Sequence, residues 1–514
     1  ATFLVFAGGL LVFLANKNMF SNYKTYYLES YYYIAPYKIK QLIAAIQPLR
    51  VSGRTTSTSP YAESVPVLVY HGVLGGNPDS NNGEATNIEL SNFWNQMKTL
   101  KENGWQTVSI QDFYDFKRGV KSLPAKSFLL TFDDGRKDSY YPTNPILKAL
   151  GFHAVMFVID QYSLEENSDY YLTREELVSM SKSKEWELQS HGYSSHSEYT
   201  IDSLGNTAHF FSNKLWLPEL SRIETEKEFI DRIRNDLEKS KVDLEDAINK
   251  RVTAFAFPFG DYGEGAVNFL DSESVLVPNV LDIYQMAFYQ YSGVYRYSQN
   301  YPEPGDADGR YMIRRIGMSA KWENGEYLLG VLESGSAKTL PFTAKFDTTD
   351  GWVDTTWGKM EVTDGKMTIG ASPDSTGSTV VLDGTDSWKD YSVVANVRWT
   401  SGSNIYLESR YEDDDNLTAC NFKRGDRVHV EQTVDGISRV IAGVENKFQT
   451  GNGIFRIGMK VSGRNVECSI NGEVIVSTPF LDESLSSGGV GLKTWDAIPG
   501  NSELIVEDFS VNKL

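Results

Sequence analysis

A chain of 514 residues is too long for one ordinary hydrophobic core and implies two or three domains. Its 49 Lys and Arg against 68 Asp and Glu leave a formal net charge of −19, a surface that repels phosphate backbones and argues against nucleic acid as a partner. With 41% apolar residues, 29 Tyr and 26 Phe, the composition is that of packed globular domains rather than a disordered chain.

Residues 1–15, ATFLVFAGGLLVFLA, carry no charge and are followed by Asn16 and Lys17. The run is shorter than the roughly 20 residues a helix needs to cross a bilayer, but it begins without methionine and upstream residues are expected. It reads as an N-terminal membrane-anchor helix or a signal segment, and the lack of a small-x-small cleavage site favours the anchor. The bulk of the protein is therefore expected in the cell envelope, outside the cytoplasm, membrane-anchored or secreted. Residues 16–65, with the tract YYLESYYYIAPY, the amphipathic YKIKQLIAAIQ and the small polar run RVSGRTTSTSPYAES, read as a juxtamembrane stalk and linker.

Residues 66–335 alternate short apolar runs with helical spacing. VPVLVYH, SFLLTF, HAVMFVI, WELQSH, VTAFAFPFG and YQMAFYQYSG read as strands. NFWNQMKTLKENG, NPILKALG, TREELVSMSKS and EKEFIDRIRNDLEKSKVDLEDAINK read as helices, several with a Thr, Ser or Asn start or a glycine stop. This alternation predicts parallel strands with crossover helices, an open α/β sheet or a (β/α) barrel, with chemistry at the carboxyl ends of the strands. Over residues 340–514 the helical spacing disappears. VTDGKMTIG, VHVEQTVDGISRVIAG and NVECSINGEVIVS are alternating runs joined by Asp-Gly or Asn-Gly, the pattern of hairpins in an all-β, jelly-roll type sandwich. The two cysteines, Cys420 and Cys468, lie in strand-like runs and read as buried free thiols in preference to a disulfide.

The chemistry gathers in the first of these regions. SFLLTFDDG ends an apolar strand in two adjacent carboxylates, Asp133 and Asp134, which repel each other and resist desolvation. Two of the chain's six histidines, His191 and His196, follow the strand WELQS. Asp134, His191 and His196 make a three-ligand set for a divalent metal with room for water, most simply Zn2+, although cobalt or nickel would suit the same donors. Such a cation neutralises one aspartate and leaves Asp133 free as a base.

TFDDG (131–135), SHGYSSH (190–196) and FPFGDYG (257–263), in this order, resemble the polysaccharide deacetylase family, the NodB-homology carbohydrate esterases. LVYHGV (68–73) and RYMIRRIGM (310–318) are similar to the branch that includes the poly-N-acetylglucosamine deacetylases. The resemblance spans about residues 66–325 and implies a distorted, NodB-like (β/α) barrel as the catalytic domain. It implies Asp133 as general base, Asp134, His191 and His196 as metal ligands, and the main-chain N–H of Phe259 as an oxyanion donor. It also points to a protonated His71 as the general acid, because His429 is the only histidine after residue 209. Two departures stand out. Gly192 replaces the usual threonine of that branch, and Ala256 stands where many members carry an arginine near the base, a place that Arg314 or Arg315 can take from a neighbouring strand.

The segments ESRYEDDDNLTACNF and GGVGLKTWDAIPGNSELIVEDFSV resemble concanavalin-A-like or laminin-G-like sandwiches, so residues 340–514 are expected to bind carbohydrate. Trp352, Trp357, Trp388, Trp399 and Trp495 are candidates for sugar stacking, most of them more simply core, and EDDDN reads as a solvated turn in preference to a calcium loop. The whole is expected to be a multidomain, metal-dependent deacetylase of an extracellular N-acetylated polysaccharide. An esterase removing O-acetyl groups from a xylan-type polymer and a non-catalytic glycan-binding surface protein are the alternatives.

Overall fold

The computed structural model describes residues 59–75, 86–166, 168–290, 299–304, 309–318, 324–347, 349, 351–354, 357–434, 436–445, 453–479 and 485–514. The expected anchor at 1–15 and most of the stalk lie outside these residues. Among the described residues no helix is long and apolar enough to cross a membrane. The chain divides into two compact units, residues 1–292 with 302–330, and residues 293–301 with 331–514.

The first unit is built on seven parallel strands: β1 (Val67–Tyr70), β2 (Ser127–Phe132), β3 (Ala154–Val158), β4 (Trp186–Ser190), β5 (Ala254–Ala256), β6 (Met286–Gln290) and β7 (Tyr311–Gly317). Their order is β1-β7-β6-β5-β4-β3-β2, and β2 pairs again with β1, which closes the sheet into a barrel. The closure is uneven, since β4 and β5 share one register pair, Phe255 with Ser190. β2 is buried along its whole length, as a parallel strand covered on both faces requires. Leu129, Val155, Phe157, Ala254, Met286, Phe288 and Ile313 fill the interior.

Helices α1 (Leu90–Glu102), α2 (Ile110–Lys117), α3 (Lys137–Leu150), α4 (Arg174–Met180), α5 (Glu226–Ile248) and α6 (Ser272–Ile283) accompany the strands. α4 and α5 begin in capping boxes, Thr173 with Glu176 and Thr225 with Glu228. α3 stops at Gly151, whose φ of 65° is the left-handed conformation expected of a terminating glycine. α5 turns Phe229, Ile233, Leu237, Leu244 and Ile248 inward, and one acid, Asp236, shares that stripe.

The second unit is a sandwich of two antiparallel sheets. Its strands are β8 (Phe342–Ala344), β9 (Trp352–Asp354), β10 (Gly358–Thr363), β11 (Lys366–Ala371), β12 (Gly377–Leu382), β13 (Tyr391–Ser401), β14 (Asn404–Asp413), β15 (Asn416–Lys423), β16 (Arg427–Val434), β17 (Ile437–Glu445), β18 (Phe455–Ser462), β19 (Asn465–Ile470), β20 (Glu473–Pro479), β21 (Gly489–Trp495) and β22 (Glu503–Lys513). One sheet runs β10-β11-β22-β13-β18-β19-β20, with β8 beside β22, and the other β9-β12-β21-β14-β15-β16-β17. The Asp-Gly and Asn-Gly turns fall where expected. Asp364 and Gly365 between β10 and β11, and Asn471 and Gly472 between β19 and β20, all have positive φ, as tight hairpin turns require. Trp352, Trp388 and Trp399 belong to the core, whereas Trp357 and Trp495 are only half-buried. Asp413 of EDDDN accepts the Asp415 N–H at 2.9 Å, the self-bonded turn that the reading preferred.

The cysteines correct the sequence reading. Cys420 on β15 and Cys468 on β19 form a disulfide that ties one sheet to the other. Both point inward from facing strands, and their Cα atoms lie 5.7 Å apart, within bridging range. The residues are 48 apart in sequence, and closing a loop of that length in the unfolded chain is worth about 4 kcal/mol. Replacing both by serine should lower the unfolding free energy by about that amount, read as an earlier denaturant midpoint that reductant no longer shifts.

Candidate active site

The carboxyl ends of the barrel strands open into a cleft of about 460 Å³, lined among others by His71, Asp133, Asp134, His191, His196 and Phe259. These are the six residues singled out from the sequence, and the fold brings all of them to one place. β2 ends at Phe132, and Asp133 continues it, donating its N–H to the Tyr70 carbonyl of β1 at 3.1 Å. Asp134 then turns off the strand with φ of 73°, a left-handed conformation that costs a non-glycine residue roughly 1 kcal/mol. The two carboxylates therefore diverge through a backbone reversal, not through the alternation of an extended segment.

His191 follows β4 directly. Its Nδ1 sits 2.8 Å from the Ala256 carbonyl, which fixes a proton on Nδ1 and turns Nε2 toward the cleft. That Nε2 is 3.5 Å from Asp134 Oδ1, and His196 Nε2 is 3.4 Å from the same oxygen. One ligand atom from each of Asp134, His191 and His196 lies within 4.8 Å of the others. Asp134 Oδ1 is buried and accepts no hydrogen bond, an arrangement that suits a cation held among the three.

Burial alone would raise the Asp134 carboxyl, but His191 and His196 hold it far below the usual carboxylate range. Burial likewise pushes Asp133 up, and Arg315, His191 and His71 outweigh it, so this carboxyl also stays ionised. Arg315 Nη1 donates to Asp133 Oδ1 at 2.7 Å from a fully buried side chain, so of the two arginines considered it is Arg315 on β7 that pairs with the acid. His71 leaves β1 with Nε2 4.0 Å from Asp133 Oδ2. Burial holds its imidazole below the ordinary histidine range despite the pull of Asp134 and Asp133.

Supporting residues were not foreseen. Asp236 on α5 accepts the N–H groups of Tyr193 at 3.0 Å and Ser194 at 2.9 Å and the hydroxyl of Ser195 at 2.9 Å, clamping the loop between the two histidines. This accounts for Gly192. Its φ is +87°, and a Cβ there would lie 2.1 Å from Ser195 Oγ, so the usual threonine does not fit this loop. Arg136 forks onto Asp138 at 2.8 and 2.9 Å, binds Asn87 at 3.0 Å and lies over the Tyr170 ring. Asn87 in turn accepts the Gly72 N–H at 3.1 Å, which fixes the segment beside His71. Phe259, held at φ 61°, is 46% exposed and packs against His196 and, face to face, His209. His209 Nδ1 lies 2.6 Å from Asp261 Oδ2. Asp236 alone had a sequence signal, as an acid in register with the apolar stripe of its helix.

The parallel barrel thus carries paired carboxylates and a possible Asp–His–His metal site at the ends of its strands. Residues 121–272 match the model of the polysaccharide deacetylase family. A poly-β-1,6-N-acetyl-D-glucosamine N-deacetylase of Escherichia coli K12 is 29% identical over 187 residues, 34% of this chain and 28% of that protein. A putative polysaccharide deacetylase of Bacillus subtilis, YxkH, is 26% identical over 200 residues, 39% of this chain and 58% of that one. Both relatives therefore extend well beyond the matched region. A solved de-N-acetylase from Aggregatibacter actinomycetemcomitans superposes with a TM-score of 0.42 at 20% identity, covering 52% of this chain and 99% of that one.

Asp236→Ala, which strips the loop of its three-pronged acceptor, should weaken the binding of a divalent metal roughly 10- to 100-fold, measured by competition with a chromophoric chelator. The His209–Asp261 pair gives a separate test. The hydrogen bond to Asp261 raises His209 above its ordinary value, so its contribution to stability is full below the unfolded value and is lost as pH rises through the folded one. In Asp261→Asn the NMR titration midpoint of His209 should move to lower pH, and stability near neutrality should become less pH-dependent.

Proposed function

We propose that this chain hydrolyses acetamido groups on an extracytoplasmic N-acetylated polysaccharide, releasing acetate and a free amino sugar. The observation that carries the reading is the paired carboxylates with divided partners, Asp134 facing the Nε2 atoms of two imidazoles and Asp133 facing a buried arginine. Asp134, His191 and His196 would hold a divalent cation, zinc by ligand type. When bound, such an ion polarises the acetyl carbonyl and lowers the pKa of its water.

Asp133, kept ionised by Arg315, takes the proton of the attacking water. The main-chain N–H of Phe259 faces the developing oxyanion. His71 supplies the proton to the departing amine. Burial disfavours the His71 imidazolium, so a proton held there is given up readily.

The histidine spacing of SHGYSSH and the name of the Escherichia coli relative favour a poly-N-acetylglucosamine-type polymer. The disulfide in the second unit supports an oxidising compartment, and the apolar N-terminal segment a membrane attachment. We assign residues 66–335 to the deacetylase domain and 340–514 to a concanavalin-like accessory sandwich.

Acetate release from N-acetylglucosamine oligomers should vanish on chelation and return with zinc. It should fall roughly 10²- to 10⁴-fold in Asp133→Asn while zinc binding is retained. Chelator-resistant release, an unimpaired Asp133→Asn chain, or faster release from acetylated xylan than from the oligomers would overturn the reading.

A further inference from the structure

The outward face of the sheet β9-β12-β21-β14-β15-β16-β17 carries a lateral row, Thr379, Lys493, Tyr406, Asn421 and His429, each directly beside the next across five strands. Their chain neighbours Val380, Leu492, Ile405, Phe422 and Val428 all point into the sandwich core, so pleat alternation turns this row outward. Trp357 lies over its first strand, its Nε1 donating to Thr379 Oγ1 at 3.3 Å. The Lys493 ammonium sits 5.5 Å from the Trp357 ring and 5.2 Å from that of Tyr406. All three of these side chains are half-buried. Trp357, Lys493 and Tyr406 form an aromatic–cation–aromatic strip, and Tyr406 also packs against a small apolar cluster of Val381, Tyr411, Leu417 and Ala419.

Two buried polar atoms on the same face lack partners. Glu408, 1% exposed, stands one register step along β14 from Tyr406, and its Oε2 has no hydrogen-bond partner. His429 Nδ1 is in the same position, although its Nε2 meets Glu431 at 3.1 Å. The residues flanking Glu408 across the sheet are Gly491 and Ala419. A Cβ at Gly491 would come within 2.7 Å of Glu408 Oε2, so the glycine makes the room that the carboxyl occupies. Burial pushes Glu408 up to about 8, which makes it a neutral group that both donates and accepts at neutral pH. Native proteins rarely leave such atoms unsatisfied, and here two of them serve one face.

We infer that this outward face is a second glycan site, taking uncharged N-acetylated pyranose rings. Trp357 and Tyr406 offer apolar surface to the C–H faces of the sugar. Lys493, Glu408 Oε2 and His429 Nδ1 offer donors and acceptors to hydroxyl and acetamido groups. The mixture of one ammonium with nearby carboxyls disfavours a polyanion, and the density of polar atoms disfavours a lipid surface. The choice of an N-acetylated sugar rests on the reading of the catalytic cleft; the site itself does not.

The test is calorimetric titration of the full chain, carrying Asp133→Asn to prevent turnover, with the soluble tetramer of N-acetylglucosamine. A binding event that Lys493→Met or Tyr406→Ala weakens by about tenfold or more, or abolishes, is expected. Lys493→Met changes only a half-buried surface side chain, so the test survives even if Tyr406→Ala does not fold. Tetramer binding with the same stoichiometry and affinity in both variants, or no binding to the unsubstituted chain, overturns the proposal. Failure of the deacetylase reading would appear differently, as absent acetate release in the chain with Asp133 intact while Lys493-dependent binding persists.

Discussion

Two carboxylates at the end of a fully buried strand are the constraint around which the first unit is organised. Neither Asp133 nor Asp134 can stay charged at that depth without nearby positive or metal-like partners, and each has its own. A buried guanidinium from β7 faces the first, and two imidazoles from the loop after β4 face the second. The left-handed turn at Asp134 keeps the two sets apart. Separate partners let adjacent residues carry unlike tasks, one charge available for proton transfer and one for ligation.

Much of this arrangement was legible in the sequence because it is local. Strand-end placement of TFDDG and of SHGYSSH follows from apolar runs that stop abruptly, and the candidate metal triad follows from the residue types at those stops. What the sequence hid is long-range. Whether Arg314 or Arg315 reaches the acid depends on which face of β7 lies inward, and Asp236 meets the histidine loop across 41 to 43 residues. Helix α6 was obscured by Pro278 and a run of β-branched residues, both poor helix signals. In the second unit the hairpins announced themselves through Asp-Gly and Asn-Gly. The disulfide did not, because cross-sheet apposition of Cys420 and Cys468 depends on how two sheets stack.

The two units handle buried polarity differently. In the barrel, nearly every charged group at the cleft is answered by another, and the loops there are tied down by Asp236, Asn87 and Arg136. On the outward sheet of the sandwich, Glu408 and His429 keep unanswered atoms within a strip of aromatic and amide side chains. Unsatisfied polarity beside half-buried rings is an uncommon pairing in a purely structural surface.

Barrel closure has a consequence for where the functional protein begins and ends. His71 leaves the strand on one side of the seam and Arg315 comes from the strand next to it, so the pairing of β1 with β2 and β7 delivers both groups that flank Asp133. Neither strand lies within residues 121–272. A fragment trimmed to that recognisable middle would keep Asp133, Asp134 and both histidines, yet it would be an opened cylinder in which Asp133 had lost Arg315 and His71 together.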